Sequence, residues 1–247
     1  MVIAGPGTPE ERWRAWGRTF PPFSLHGCAR LVVVAPHPDD EVLGVGGLMA
    51  VAVASGVDVQ VVAVTDGGAS HPGSPTLSAT QLTRLRPRES AAALAELGVV
   101  GEPVRLRLPD GAVIAHEQAL AAALEPVLRE PSAAPGATWA LTTWSGDGHP
   151  DHDATGRATA AACTAAGVRL LEHPVWTWHW AHPDDHRVPW GRAATVELPA
   201  GVHRAKLAAV DRFVTQVRPL SAHPADAAVL APHMVARLVR PYEVVFT

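Results

Sequence analysis

Short apolar runs alternate along the chain with longer segments in which apolar residues recur at helical spacing. Leu31-Val32-Val33-Val34-Ala35 is rich in β-branched residues and breaks at Pro36, which predicts a buried strand that stops abruptly. Val42 to Ser55 reads as a helix, Val59 to Val64 as the second strand, and Gln81 to Leu97 as a helix closed by Gly98. Val104–Leu108, Thr138–Trp144, Arg169–Val175 and Ala193–Leu198 read as further strands. Helical patterns over Glu117–Arg129, Ala158–Ala166 and Pro199–Phe213 come between or after them. Alternation of this kind predicts an α/β fold, a parallel sheet with right-handed crossovers.

The connections are informative too. His71 to Ala79 is rich in Pro, Ser and Gly and is expected to be a mobile lid or substrate-entry loop, and Pro131 to Gly136 is another loop. Ahead of the first strand, Pro9-Glu10-Glu11-Arg12-Trp13-Arg14 suggests a short amphipathic helix lying across the domain. No repeat, coiled coil or linker interrupts the pattern. One domain is therefore expected over residues 1–247, with 1–28 as an extension and 176–247 as a part that shapes the substrate pocket.

Bulk composition narrows the classes. A chain of 247 residues can bury a full core, and 47% hydrophobic with 18% charged residues is globular. The net charge of −4 leaves no basic footprint for nucleic acid. The uncharged apolar run Val42 to Val57 is shorter than the ~20 residues of a membrane span. Charges near the start and the lack of an apolar segment there argue against a signal peptide. Two cysteines, Cys28 and Cys163, make no disulfide framework and suit a reduced, cytoplasmic setting. A homo-oligomer stays open.

Chemistry concentrates at the end of the first strand, in His37-Pro38-Asp39-Asp40-Glu41. The carboxyl end of a strand beside a helix start is where ligands bind in open α/β sheets. A neutral imidazole at His37 and a carboxylate at Asp40 can converge on one cation, since Zn²⁺ accepts N and O donors at about 2.0–2.2 Å. Asp39, between them, falls near any water on that cation. Acidic residues in a first helical turn often only favour the helix dipole, but a second stretch, His149-Pro150-Asp151-His152, follows another apolar run. If one of its imidazoles completes a His/Asp/His set, three protein ligands leave a position open for water, as in catalytic zinc sites. Gly44-Val45-Gly46-Gly47 fails the Gly-x-Gly-x-x-Gly pattern, so close packing on the sheet, rather than a dinucleotide, accounts for those glycines.

These paired motifs, about 110 residues apart, resemble the PIG-L / LmbE-like family of zinc-dependent de-N-acetylases, from about Ala29 to about Ala166 and more loosely beyond. The resemblance implies a Rossmann-like three-layer sandwich, a mostly parallel sheet with helices on both faces. It implies zinc held by His37, Asp40 and His152, and Asp39 as general base. His149 would bind or protonate the reacting amide, with Asp151 orienting it. Arg86, three residues before Glu89, matches an arginine linked in that family to substrate contact, and Lys206 also recurs there. Some relatives carry a tyrosine where this chain has Asp147, so a tyrosine contribution to the oxyanion is not expected here.

Other residues complete the expected site. Asp110, in a Pro-Asp-Gly turn after a strand, is placed to meet a sugar hydroxyl, and Trp176 and Trp178 to form an aromatic wall. His182-Pro183-Asp184-Asp185 copies the start of the first motif, but aromatics precede it and Arg187 ends the next step, so it reads as a decoy. The expected function is hydrolysis of an N-acyl, chiefly N-acetyl, amide of an amino-sugar or related small-molecule amine. Zn²⁺ is the expected cofactor, with Fe²⁺ able to occupy the same donors. Ester or lactone hydrolysis at the same site is one alternative, and a metal-bound protein without turnover is another. Asp39 speaks against the latter, because a mere binding site needs no base.

Overall fold

In the computed structural model, which describes residues 5–132 and 136–247, the Leu31 run becomes β1 (Cys28–Ala35). It lies at the centre of a seven-stranded sheet with β2 (Asp58–Thr65), β3 (Val104–Leu108), β4 (Ala137–Thr143), β5 (Arg169–His173), β6 (Ala193–Glu197) and β7 (Tyr242–Phe246). The order is β3-β2-β1-β4-β5-β7-β6. The first five strands pair in parallel and β7 runs antiparallel to both neighbours. The strand order reverses between the parallel neighbours β1 and β4, which opens a crevice at their carboxyl ends.

Side-chain alternation on β1 builds three layers. Leu31 and Val33 join the cluster formed with α2 (Asp40–Ala54), α3 (Ala79–Glu96) and α7 (Ala200–Val210). Val32 and Val34 face Leu120, Leu124 and Leu128 of α4 (Glu117–Arg129) and the alanines of α5 (Pro150–Ala166). Leucines four apart put one apolar stripe of α4 against the sheet. The N-terminal α1 (Glu10–Ala15) buries Trp13 in the first cluster and pairs Glu10 with Arg240. Between β5 and β6 comes the single turn α6 (Thr177–Trp180), and two more short helices, α8 (Val214–Val217) and α9 (Pro232–Val235), precede β7. No helix of the described residues is long and apolar enough to cross a membrane.

Several bounds differ from the sequence-based expectation. Both motif helices start early, α2 at Asp40 and α5 at Pro150, so Asp40, Asp151 and His152 lie in first helical turns. Strand β7 was not anticipated; it is defined by pairing with β6 and β5, partners far away in sequence. The expected loop over 131–136 falls partly on residues 133–135, outside the described residues. The His71–Ala79 connection, expected as a mobile lid, is tied down: the Ser74 and Thr76 hydroxyls both donate to the buried Asp226 carboxylate, as does Ser221. A carboxylate supplied by the C-terminal region gives this polar loop an anchor that its composition does not reveal.

Helix α2 is broken at Val45 (φ −142°, ψ 23°). Its exposed backbone ends are met by a buried ion pair. Lys206 Nζ donates to Leu43 O at 3.0 Å, while Gly47 N and Leu48 N donate to Glu243 at 2.7 and 2.8 Å. Each charge faces the backbone pole that suits it. The glycines around the break allow close approach, since a Cβ on Gly44 would lie 2.1 Å from His173 Nδ1 and one on Gly47 2.4 Å from Leu198. His173 is fully buried and cannot swing away. Gly44→Ala is therefore expected to lower stability by ~1–3 kcal/mol through overpacking. Denaturant unfolding checks this, and an unchanged midpoint would contradict the packing described.

Candidate metal centre

His37 follows β1 by two residues, at the mouth of the crevice, and Asp39 adopts φ 145° as the chain turns into α2. A non-glycine residue in that region stores strain of order 1–3 kcal/mol and persists only where its surroundings hold it. Those surroundings are explicit. The Asp39 amide donates to Glu41 Oε2 at 3.0 Å, and Ser90 donates to the other oxygen of Glu41. Arg86, buried on α3, donates to Pro38 O at 3.0 Å, to Gly67 O at 2.9 Å and to Asp39 Oδ2 at 3.2 Å. Arg86 thus holds Asp39 and the backbone around it.

The two candidate histidine ligands are each oriented through their far nitrogen. His37 Nε2 lies 3.1 Å from Asp151 Oδ2 and 3.2 Å from Asp110 Oδ1, and Nδ1 is 3.1 Å from Asp40 Oδ2. His152 Nδ1 lies 2.8 Å from Asp147 Oδ2, leaving Nε2 3.2 Å from Asp40 Oδ2. Carboxylates only accept, so Asp151 and Asp147 would keep protons on the far nitrogens, and a cation between the rings and Asp40 would meet the lone pairs of His37 Nδ1 and His152 Nε2. Ligating histidines are held in this way by outer carboxylates in metal sites. His152 Nε2 is fully buried and, though 3.2 Å from Asp40 Oδ2, makes no well-aligned hydrogen bond among the described residues, as expected of an atom meant for a cation. Burial opposes charge on both imidazoles, yet the surrounding carboxylates raise His37 well above its ordinary value and His152 to about 9. A centre so rich in negative charge suits a cation, and His37, Asp40 and His152 form a group that could hold one. His37, His149 and Asp151 also converge. There, however, His37 Nε2 faces carboxylates, and Gly111 N and Val113 N occupy the oxygens of Asp151 at 2.7 and 3.1 Å.

That placement corrects one expectation. The Asp151 carboxylate does not orient His149; it lies on His37 and on the loop after β3. The Asp151 backbone amide instead donates to His149 Nδ1 at 3.2 Å, because His149 is the N-cap residue of α5 and folds back over the first turn. Burial, then the neighbouring charges of His152 and His37, push His149 down to about 4. His149 is consequently a neutral imidazole with its proton on Nε2. Burial pushes Asp39 up to about 8, against the pull of Arg86 and with Asp40 and Glu41 adding to the rise.

A cavity of about 200 Å³ opens over this group. His37, Asp39, Asp40, Arg86, Asp110 and His149 line it, and the C-terminal part adds Trp176, Gln216, Val229 and Leu230. Asp110 is fixed by the Ala69 amide at 2.7 Å. Trp176 stacks on His149 with ring centroids 6.5 Å apart. Trp178, expected beside it, turns the other way. It is buried against Trp13 and Trp190 with Arg240 over its ring, and borders a separate cavity of about 590 Å³ beneath α1. Neighbours along a helical turn point in different directions, and α6 begins where a strand end was expected. The His182 copy of the motif contacts Asp185 at the surface, away from the centre. Sequence reading missed Glu41 and Asp147 as supports. Asp147 sits inside the motif, but its partners, at positions 175–177, are visible only in three dimensions.

The family model for GlcNAc-PI de-N-acetylases (PIG-L) matches residues 32–163. A 1D-myo-inositol 2-acetamido-2-deoxy-alpha-D-glucopyranoside deacetylase of Mycolicibacterium gilvum is 32% identical over 197 residues, 70% of this chain and 66% of its own. Its namesake from Corynebacterium glutamicum is 30% identical over 237 residues, 79% of this chain and 74% of its own. Among solved structures, the A40926 pseudoaglycone deacetylase is similar with a TM-score of 0.58 and 25% identity, over 88% of this chain and 96% of its own. The chain spans about two thirds of the length of the M. gilvum relative. It belongs to the PIG-L family of GlcNAc-PI de-N-acetylases.

Proposed function

We propose that this protein is a zinc-dependent hydrolase that removes the N-acetyl group from a glucosamine-containing small molecule, acting as one unit over residues 1–247 in the cytoplasm. The observation that carries this reading is the strained, buried Asp39 beside the convergent His37, Asp40 and His152, at the floor of a cavity. The two sequence relatives, whose names specify an acetamido-glucopyranoside of inositol, suggest the substrate class. Zn²⁺ fits the N/O donors, and Fe²⁺ is the other ion they would accept.

Bound by His37, Asp40 and His152, the ion supplies Lewis acidity and acidifies water. The charge of a bound cation would offset the burial of Asp39 and favour its carboxylate, which takes the proton of the attacking water while Arg86 keeps it in line. His149 donates from Nε2 to the oxygen that gains charge at the amide carbon; a fixed donor of this kind contributes about 10²–10³ in rate. With Nδ1 committed to the Asp151 amide, His149 has no proton to give away at neutral pH, so Asp39 returns its own to the leaving amine. Asp110 accepts a sugar hydroxyl and Trp176 covers a ring face. Amine release from N-acetylated glucosaminides, assayed together with metal content, tests this. Release should stop on chelation and return with Zn²⁺, whereas release that persists in metal-free protein would refute it.

A further inference from the structure

Asp147 is fully buried and accepts more hydrogen bonds than any single role requires. Its Oδ2 receives His152 Nδ1 at 2.8 Å and the Trp176 amide at 2.9 Å. Its Oδ1 receives the amides of Val175 and Thr177, each at 2.9 Å, and the Thr177 hydroxyl at 2.6 Å. Its carbonyl receives Trp180 Nε1 at 2.6 Å. Capping the 175–177 turn accounts for the three amides and the Thr177 hydroxyl, but not for His152 on Oδ2. The oxygen shared by His152 and the Trp176 amide joins that turn to the candidate metal centre, and Trp176 lines the cavity beside Val175 and stacks on His149.

We propose that Asp147 is a positioning residue with two linked duties. It holds the His152 proton on Nδ1, which turns Nε2 toward the ion, and through the shared oxygen it couples the strength of metal binding to the placement of the Trp176 wall. This rests on the metal centre proposed above. An asparagine at 147 could accept from the Val175 and Thr177 amides, but its NH₂ would face the Trp176 amide and His152 Nδ1, and would favour the opposite tautomer of His152, with a proton on the metal-facing nitrogen. Thr177→Val removes one donor from the far side of Asp147 and leaves the His152 contact untouched.

The test is the Zn²⁺ affinity of purified protein, measured by competition with a chromogenic chelator, with the circular dichroism of each metal-free variant as the check on folding. Asp147→Asn is expected to fold and to bind Zn²⁺ about 10–100-fold more weakly, the usual effect of losing an outer partner of a ligating histidine. Thr177→Val is expected to weaken Zn²⁺ binding in the same direction by a smaller factor and to raise KM. Wild-type affinity in Asp147→Asn would overturn the first duty. Wild-type affinity in Thr177→Val would overturn the coupling, and this variant carries the test if Asp147→Asn does not fold. Wild-type protein that binds no Zn²⁺ would instead remove the metal centre itself, an outcome distinct from either.

Discussion

Asp39→Asn should lower kcat by about 10²–10⁴-fold, the usual contribution of a positioned general base, while metal content stays at the wild-type level. The first half follows from basicity: a carboxamide cannot take the proton of water or pass it to an amine. The second follows from geometry, because the convergent group is His37, Asp40 and His152, and Asp39 is not in it. Its carboxylate faces Arg86 Nη2 at 3.2 Å. The hydrogen bond from the residue-39 amide to Glu41 and the unusual φ belong to the backbone and survive the change. Kinetics and metal analysis on one preparation decide the matter. Loss of metal along with turnover would make Asp39 a ligand, and a kcat within tenfold of wild type would end its assignment as the base.

Lys206→Met should cost about 3–5 kcal/mol of stability, as expected when one member of a buried ion pair is removed. Lys206 is fully buried, its ammonium lies 2.6 Å from Glu243, and no other cation is hydrogen-bonded to that carboxylate among the described residues. The substitution strands the Glu243 charge in the core and leaves Leu43 O without its donor. Adding Glu243→Gln should recover part of the loss, since a neutral carboxamide can still accept from the Gly47 or Leu48 amide. At this size each kcal/mol moves Tm by about 2–4 °C. Denaturant unfolding of the single and double variants measures both effects, and a single-variant loss below 1 kcal/mol would show that the pair contributes little. The pair has a functional side too. It braces α2 at Leu43, Gly47 and Leu48, on the helix that Asp40 begins, using a lysine and a glutamate from outside the segment matched by the family model.

The alternation of β-branched runs with helical patterns was enough to predict a mostly parallel α/β sheet, because burial on both faces leaves a local signature. Leu31 to Ala35 can hardly be anything but a central strand. The metal motif was legible for a similar reason. His37, Asp40 and His152 flank strand ends, and chain connectivity carries both ends to one edge of the sheet. Strand β7 left no comparable trace, since Tyr242 to Phe246 is a strand through its distant partners.

What the sequence determined by itself, then, is which residue types reach the crevice, because spacing along a strand end or a first helical turn is local. Tertiary structure alone decided which way each polar group is turned. Asp151 faces His37 and not His149, Trp178 lies in the core while Trp176 lines the cavity, and Arg86 holds Asp39. Each of those outcomes depends on partners 28 to 165 positions away, such as Trp13 beneath Trp178 and the Val175–Thr177 turn around Asp147. A hydrogen bond or packing contact over such a span is set by how the layers close on one another, and no short stretch of sequence records it.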